Sequence, residues 1–243
     1  MLPHNIPASI YFRRSLSQLA AARSSLVPEG FTLFSEFFDT REQRLLLTTA
    51  LSQLDALEGK RVRKLQKEYR AKNPILKGSP LEGLFLPEQY YTFQEGHYDN
   101  VIRDYREMHI SSWPESQVPG LTSILDRLRA LYPSPDIQTH LLHLSSSGEI
   151  LPHIDNVCAS GVWIMGVSLG ATRMLRMAST NITAPKIFDT MLPSGSVYLQ
   201  RDDLRYNWRH AVLHPLDSDK AKRGQRVSIM VRDHRGNNVT NIQ

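Results

Sequence analysis

A chain of 243 residues, 41% hydrophobic and 22% charged, has the composition of an ordinary globular protein and is long enough to bury a sizeable core. No apolar run approaches the roughly 18 residues of a membrane-spanning helix, and a single cysteine, Cys158, excludes an intramolecular disulfide. The net charge of +5 is uneven, because the basic excess collects in two segments and the remainder is acidic.

The first basic segment is residues 1–28, which hold no Asp or Glu but carry Arg13, Arg14 and Arg23 among several serines. Phe12, Leu16 and Leu19 recur at helical spacing. Such an arginine- and serine-rich, acid-free, amphipathic stretch predicts a mitochondrial transit peptide, and so a matrix location. One cysteine fits that reducing compartment. Cys158 itself is expected to be a small buried hydrophobe.

Thr40 followed by Gln43 has the form of a capping box, opening a helix whose apolar stripe includes Leu46, Leu47, Ala50, Leu51 and Leu54. The second basic segment, Gly59 to Lys77, holds eight Lys or Arg and one acid. Lys60–Lys77 could contact RNA phosphates or an anionic surface, weakly and in a salt-sensitive way. A solvated helix or loop is the plainer expectation. Gly78-Ser79-Pro80 and Pro87 mark a loop, and aromatics from Phe85 to Trp113 are expected to pack against the body of the fold. Leu121, Ile124, Leu125, Leu128 and Leu131 predict a further amphipathic helix, ended by Pro133.

Beyond Pro135 the pattern changes to short strand-like runs, at THLLHL, VWIMGVSL, RMLRMA, KIFDTM, SVYLQ, RHAVL and RVSIMV. Turn residues separate them, among them Gly148, Gly170, Gly195 and Gly224. Helices first and many short strands after argue for an α+β fold, with the strands closing as a double-stranded β-helix (jelly roll) over about 137–233. The helices before it would support that core. The chain then divides into the transit segment, 1–28, and one domain, 29–243.

Within the strands one triplet carries chemistry. In an extended segment residues i and i+2 share a face, so His153 and Asp155 reach into one cavity while Ile154 points away. An imidazole and a carboxylate so placed, with a distal His210, form the facial triad of non-haem Fe(II) oxygenases. A second triplet, His97-Tyr98-Asp99, offers an alternative with His153. However, no R-x-S-x-x-x-R strand follows that set, and a polar turn is the expected role there. Such a strand does follow His210: Arg226, Ser228, Met230 and Arg232 alternate with Val227, Ile229 and Val231. Paired guanidinium groups suit a small dicarboxylate.

The segments HYDNVIRDYRE, LPHIDNV with GVSL, LPSGSVYL, RYNWRHAVL and RGQRVSIMVR together resemble the AlkB-like Fe(II)/2-oxoglutarate-dependent dioxygenases. The likeness covers roughly residues 30–233 and leans toward the mitochondrial branch, linked to programmed necrosis and fatty acid metabolism. It implies that His153, Asp155 and His210 bind Fe(II). Arg226 and Arg232 would hold the carboxylates of 2-oxoglutarate, with Tyr198 and Ser228 beside them, and O2 would be the co-reactant. Base-repairing members carry an acid two residues beyond the metal aspartate; here that place is Val157. Their cosubstrate-binding Asn and Tyr align with Leu142 and Leu144. These departures favour a protein or small-molecule substrate over a nucleic acid. An interaction or signalling module that binds metal and cosubstrate with little turnover is the other class in play.

Overall fold

The computed structural model describes residues 27–76, 78–215 and 223–234. The expected transit segment lies almost wholly outside them. Among the described residues, ten strands join in one antiparallel sheet that folds over on itself. One side runs β1 (Phe31–Phe34), β8 (Val197–Arg201), β5 (Trp163–Gly170), β10 (Arg226–Asp233), then the first part of β4 (Ile137–His153), with β3 (Ile102–Ile110) beyond. The other side is the end of β4, then β9 (Trp208–Leu213), β6 (Arg173–Ser179) and β7 (Ile187–Leu192). The short β2 (Gln94–Gly96) pairs with the start of β3. This is the expected α+β jelly roll.

The strand β4 belongs to both sides, and that makes the roll. Gly148 is not the turn the sequence suggests but lies inside β4. A Cβ there would sit 2.7 Å from the Asp104 carbonyl oxygen, so glycine lets β3 follow the strand closely as it crosses between the two sides. The residues before it feed one side and His153 ends the other.

Two cores follow from the period-two alternation. Trp163, Met165, Val167 and Leu169 of β5 join Val227, Ile229 and Val231 of β10 on the outer face. There they meet helix α1 (Thr40–Ala56) through Leu46, Leu47, Ala50, Leu51 and Leu54, and helix α3 (Leu121–Arg129) through Leu121, Ile124, Leu125 and Leu128. Each buried leucine contributes about 1.5–3 kcal/mol relative to exposure. Between the sides, Tyr105, Leu142, Leu144, Leu175, Met177, Phe188, Tyr198 and Val212 form the second core.

The α1 cap differs from the Thr40/Gln43 expectation. Asp39 is the cap, accepting from Glu42 N, while the Glu42 carboxylate accepts from Asp39 N. A carboxylate at a helix N-terminus gains from the dipole as well as the hydrogen bond, so the acidic pair one residue earlier takes the role. Gln43 instead donates to the Phe38 carbonyl and accepts from Ser194 Oγ, bracing the β7–β8 turn. The basic run forms helix α2 (Lys60–Lys72), exposed but for Gln66 and the half-buried Val62, Tyr69 and Arg70. Cys158 is exposed, contrary to expectation, because it sits on the loop after β4 rather than on a strand.

Candidate metal and cosubstrate site

His153 and His210 are directly opposed across β4 and β9, their ring centroids 4.3 Å apart. Asp155 follows in the loop, and ligand atoms of all three lie within 4.8 Å of one another. His153 Nδ1 lies 2.8 Å from the Leu151 carbonyl, which can only accept, so Nδ1–H donates there and fixes the tautomer. Nε2 then offers its lone pair, 2.9 Å from Asp155 Oδ1. Two acceptors facing each other at that distance repel unless a cation lies between them. His210 Nε2, 3.8 Å from the same oxygen, converges on the same point. The donor set therefore fits a divalent cation with open positions.

The surroundings hold each ligand in its binding form. Burial alone would raise the Asp155 carboxyl, but the Arg232 guanidinium, whose Nη2 lies 3.1 Å from Oδ2, holds it well below the usual carboxylate range. Burial pushes His210 down to about 3, so it is neutral at physiological pH as a metal ligand must be. Arg205 of the short helix α4 (Asp203–Asn207) donates to the Asp155 carbonyl at 3.2 Å and to Ser160 Oγ at 2.7 Å. Tyr206 donates to the Gly161 carbonyl at 3.1 Å, so α4 laces down the loop that carries Asp155.

On β10 the alternating polar residues face the interior of the roll, not solvent. Arg226 is 1% exposed, its Nε donating to Ser168 Oγ at 3.0 Å and its Nη1 to Ser228 Oγ. Among the described residues no carboxylate pairs with it. Burial lowers it to about 10, still protonated at neutral pH. A buried charge without a counter-ion costs several kcal/mol, roughly, unless an anion joins it. Tyr198 stands over the same space, its hydroxyl 3.7 Å from Met230 Sδ and pushed up to about 12 by burial. Gly166 makes room, since a Cβ there would lie 2.3 Å from the Tyr198 ring. Leu142 and Leu144, opposite Ser228 and Arg226 on β4, supply an apolar wall.

The three residues expected at the iron and the four expected at 2-oxoglutarate thus lie along one interior. His97 and Asp99 do not join the metal set; they pair with each other at 2.9 Å on the turn between β2 and β3. Sequence reasoning missed Arg205 and Tyr206, although both lie in the RYNWRH segment that carries His210. It also missed Arg173, which is buried and donates to the Gly224 carbonyl at 2.8 Å and the Ser145 carbonyl at 3.3 Å. Nothing in RMLRMA distinguishes that arginine from a surface one.

Among curated proteins the chain is similar to the mitochondrial alpha-ketoglutarate-dependent dioxygenase alkB homolog 7 of Mus musculus, 32% identical over 149 residues, and of Bos taurus, 29% over 148. Each alignment takes in 58% of this chain and 65% of the relative's length. Among solved structures it resembles OsALKBH1 (17% identity, 86% of this chain and 99% of that one, TM-score 0.49). It also resembles a Pseudomonas putida prolyl-4-hydroxylase (14% identity, 90% and 99%, TM-score 0.48). The 2OG-Fe(II) oxygenase superfamily profile matches residues 30–232, a span that includes the two imidazoles, the carboxylate and the sealed arginine. The chain therefore belongs to the 2OG-Fe(II) oxygenase superfamily, whose members work with Fe(II), 2-oxoglutarate and O2.

Proposed function

We propose that the protein is a mitochondrial Fe(II)- and 2-oxoglutarate-dependent dioxygenase acting on a protein side chain or small molecule. The observation that carries this is Arg226: a sealed guanidinium without a carboxylate, on the wall facing three convergent metal ligands. His153, Asp155 and His210 would hold the iron. Arg226, with Ser228 and Tyr198, would bind the far carboxylate of 2-oxoglutarate. Arg232 would divide its guanidinium between Asp155 and the near carboxylate, its Nε being buried and without a hydrogen-bond partner. The bound iron supplies O2 activation coupled to decarboxylation of 2-oxoglutarate to succinate and CO2. The protein's part is to orient Asp155 through Arg232 and Arg205, keep His210 neutral, and exclude water with Leu142 and Leu144.

Residues 1–28 would direct the chain to the matrix, consistent with relatives named mitochondrial. Roles in fatty acid metabolism and programmed necrosis belong to the same proposal. The exposed basic helix α2 supports a second reading, weak contact with RNA or an anionic surface. The test is succinate formation by the chain loaded with Fe(II) and 2-oxoglutarate under air. Turnover that disappears in His153→Ala is expected; none in the wild-type chain would refute an oxygenase and leave a binding module.

A further inference from the structure

The iron ligands and the cosubstrate end leave one polar wall of the same interior unexplained. On β3, Arg106 reaches toward the helices, pairing with Asp55 at 2.8 Å and Glu58 at 3.2 Å. Alternation therefore turns Tyr105, Glu107 and His109 into the roll. Register sets Glu107 beside Leu142 and His109 beside His140. Exposure rises along this row, from buried Tyr105 through half-buried Glu107 to exposed His109, so the wall leads from the sealed core to an opening. Because β2 pairs with β3 only as far as Tyr105, Glu107 and His109 stand at the sheet's edge.

Glu107 Oε2 lies 2.9 Å from His140 Nε2, and the His109 ring lies on that of His140, 4.4 Å away with 6° between planes. The His97–Asp99 pair sits on the adjoining turn. Leu151 N donates to the Val101 carbonyl at 2.8 Å, tying this turn to the strand end that carries His153. His140 pairs with Met230 of β10, two residues from Arg232. The wall and the metal ligands are one neighbourhood.

Resting on the oxygenase reading above, we propose that Glu107, backed by His140 and flanked by Asp99, is the recognition carboxylate for the substrate, and that it takes a cationic nitrogen group, an ammonium or guanidinium. Among the described residues neither carboxylate has a lysine or arginine partner; each contacts a histidine instead. A carboxylate has about four lone-pair sites; Glu107 faces one imidazole, and Asp99 Oδ1 takes one imidazole and the Val101 N–H, so each keeps open sites. Two acids without cations at the opening complement a cation without an acid at the floor. The floor suits an anionic cosubstrate and the opening a cationic substrate. A polyanion would meet like charge there. A lysine or arginine side chain of a protein and a free small amine present the same group.

The probes are Nα-acetyl-lysine amide and Nα-acetyl-arginine amide against Nα-acetyl-norleucine amide, each also embedded in a peptide. Binding is followed by ligand-observed NMR on the Zn(II)- and 2-oxoglutarate-loaded chain under nitrogen, and turnover by succinate on the Fe(II) enzyme. The expected result is that at least one cationic probe binds while norleucine does not. Glu107→Gln, similar in shape, should weaken that binding at least tenfold while keeping metal affinity and melting temperature. Its KM should rise more than its kcat falls. Glu107→Lys should turn the preference toward Nα-acetyl-glutamate amide. A response only in the peptide assigns a protein substrate, and a response to the amides alone assigns a small amine. Equal binding of norleucine, no binding of either cation, unchanged affinity in Glu107→Gln, or preferred oxidation of a methylated oligonucleotide would overturn the proposal. Absence of succinate with intact cation binding would instead refute the oxygenase reading alone.

Discussion

Helix α2 and strand β10 both present arginines, under opposite conditions. On α2 the cations stand in water: Lys64 faces Glu68 at 3.9 Å, and only Arg70 reaches inward, to Asp55 at 2.8 Å. On β10, Arg226 is enclosed by Ser168 and Ser228, and Arg232 is held against Asp155. Exposed ion pairs are worth about 0–1 kcal/mol, whereas an enclosed charge costs several kcal/mol, roughly, until it meets its counter-ion. Charge is therefore most abundant where it is energetically cheap. It is informative where it is sparse and sealed.

The largest expected effect in the enclosed region comes from Asp155. Asp155→Ala removes the anionic ligand and leaves the Arg232 guanidinium unpaired. Affinity for Fe(II) or its surrogate Mn(II), measured by titration under nitrogen, should fall by more than about a hundredfold, since losing even an outer-shell partner costs about 10–100-fold. Undiminished affinity would mean that the metal sits elsewhere. Arg226→Met should come next. Truncating one partner of a buried charge pair costs about 2–5 kcal/mol, so the KM for 2-oxoglutarate should rise at least about thirtyfold with metal affinity unchanged. The same substitution should raise the melting temperature of the cosubstrate-free chain, because it removes a buried charge that lacks a counter-ion. A lowered melting temperature with an unaltered KM would make Arg226 a structural residue.

The contrast also explains what the sequence made legible. Alternation on RVSIMVR gave two faces correctly, but it does not say which face meets water. Here neither does: helices α1 and α3 cover Val227, Ile229 and Val231, and the roll encloses Arg226 and Ser228. The H-x-D spacing keeps His153 and Asp155 within reach of one point although β4 ends at His153 and Asp155 lies in the loop just after it, because only one residue separates them. Arg205, Arg173 and the Glu107–His140 pair were not legible, since their partners lie tens of residues away along the chain. The cap at Asp39 rather than Thr40 was a local choice between two matching patterns, decided by the stronger acceptor.

A smaller effect should come from His143, at the junction of β3, β4 and β10. Arg106 Nε donates to its Nδ1 at 2.9 Å, which leaves Nε2–H to donate to Gln225 Oε1 at 3.0 Å, inside a cage of Phe85, Tyr91 and Phe93. Burial, then the Arg106 charge, holds the imidazole well below its ordinary 6.5. The native state therefore refuses a proton that the unfolded chain accepts. The stability from neutral His143 is complete above 6.5 and is lost progressively as pH falls below that value. Between pH 7 and pH 5 the melting temperature of the wild-type chain should drop, and that of His143→Gln should drop less. Equal slopes would remove His143 from the account.

The smallest effect belongs to α2. Lys60, Lys64 and Lys67 are exposed, and Lys64 has only the long pair to Glu68. Replacing all three by Gln deletes solvated charges from a helix held by Gln66, Tyr69 and Arg70 through Tyr90 and Asp55. Surface substitutions of this kind fall within about 0.5 kcal/mol each, so the melting temperature should scarcely move and succinate formation should change less than about twofold. What should change is any affinity for RNA. Each phosphate contact contributes about 0.9 or less to the slope of log affinity against log salt, so the variant should flatten that slope by up to about three. A slope that stays steep would place the nucleic-acid contact elsewhere on the fold. A fall in succinate formation would show that α2 acts on the enclosed site after all, and that the separation between the exposed and the sealed cations does not hold.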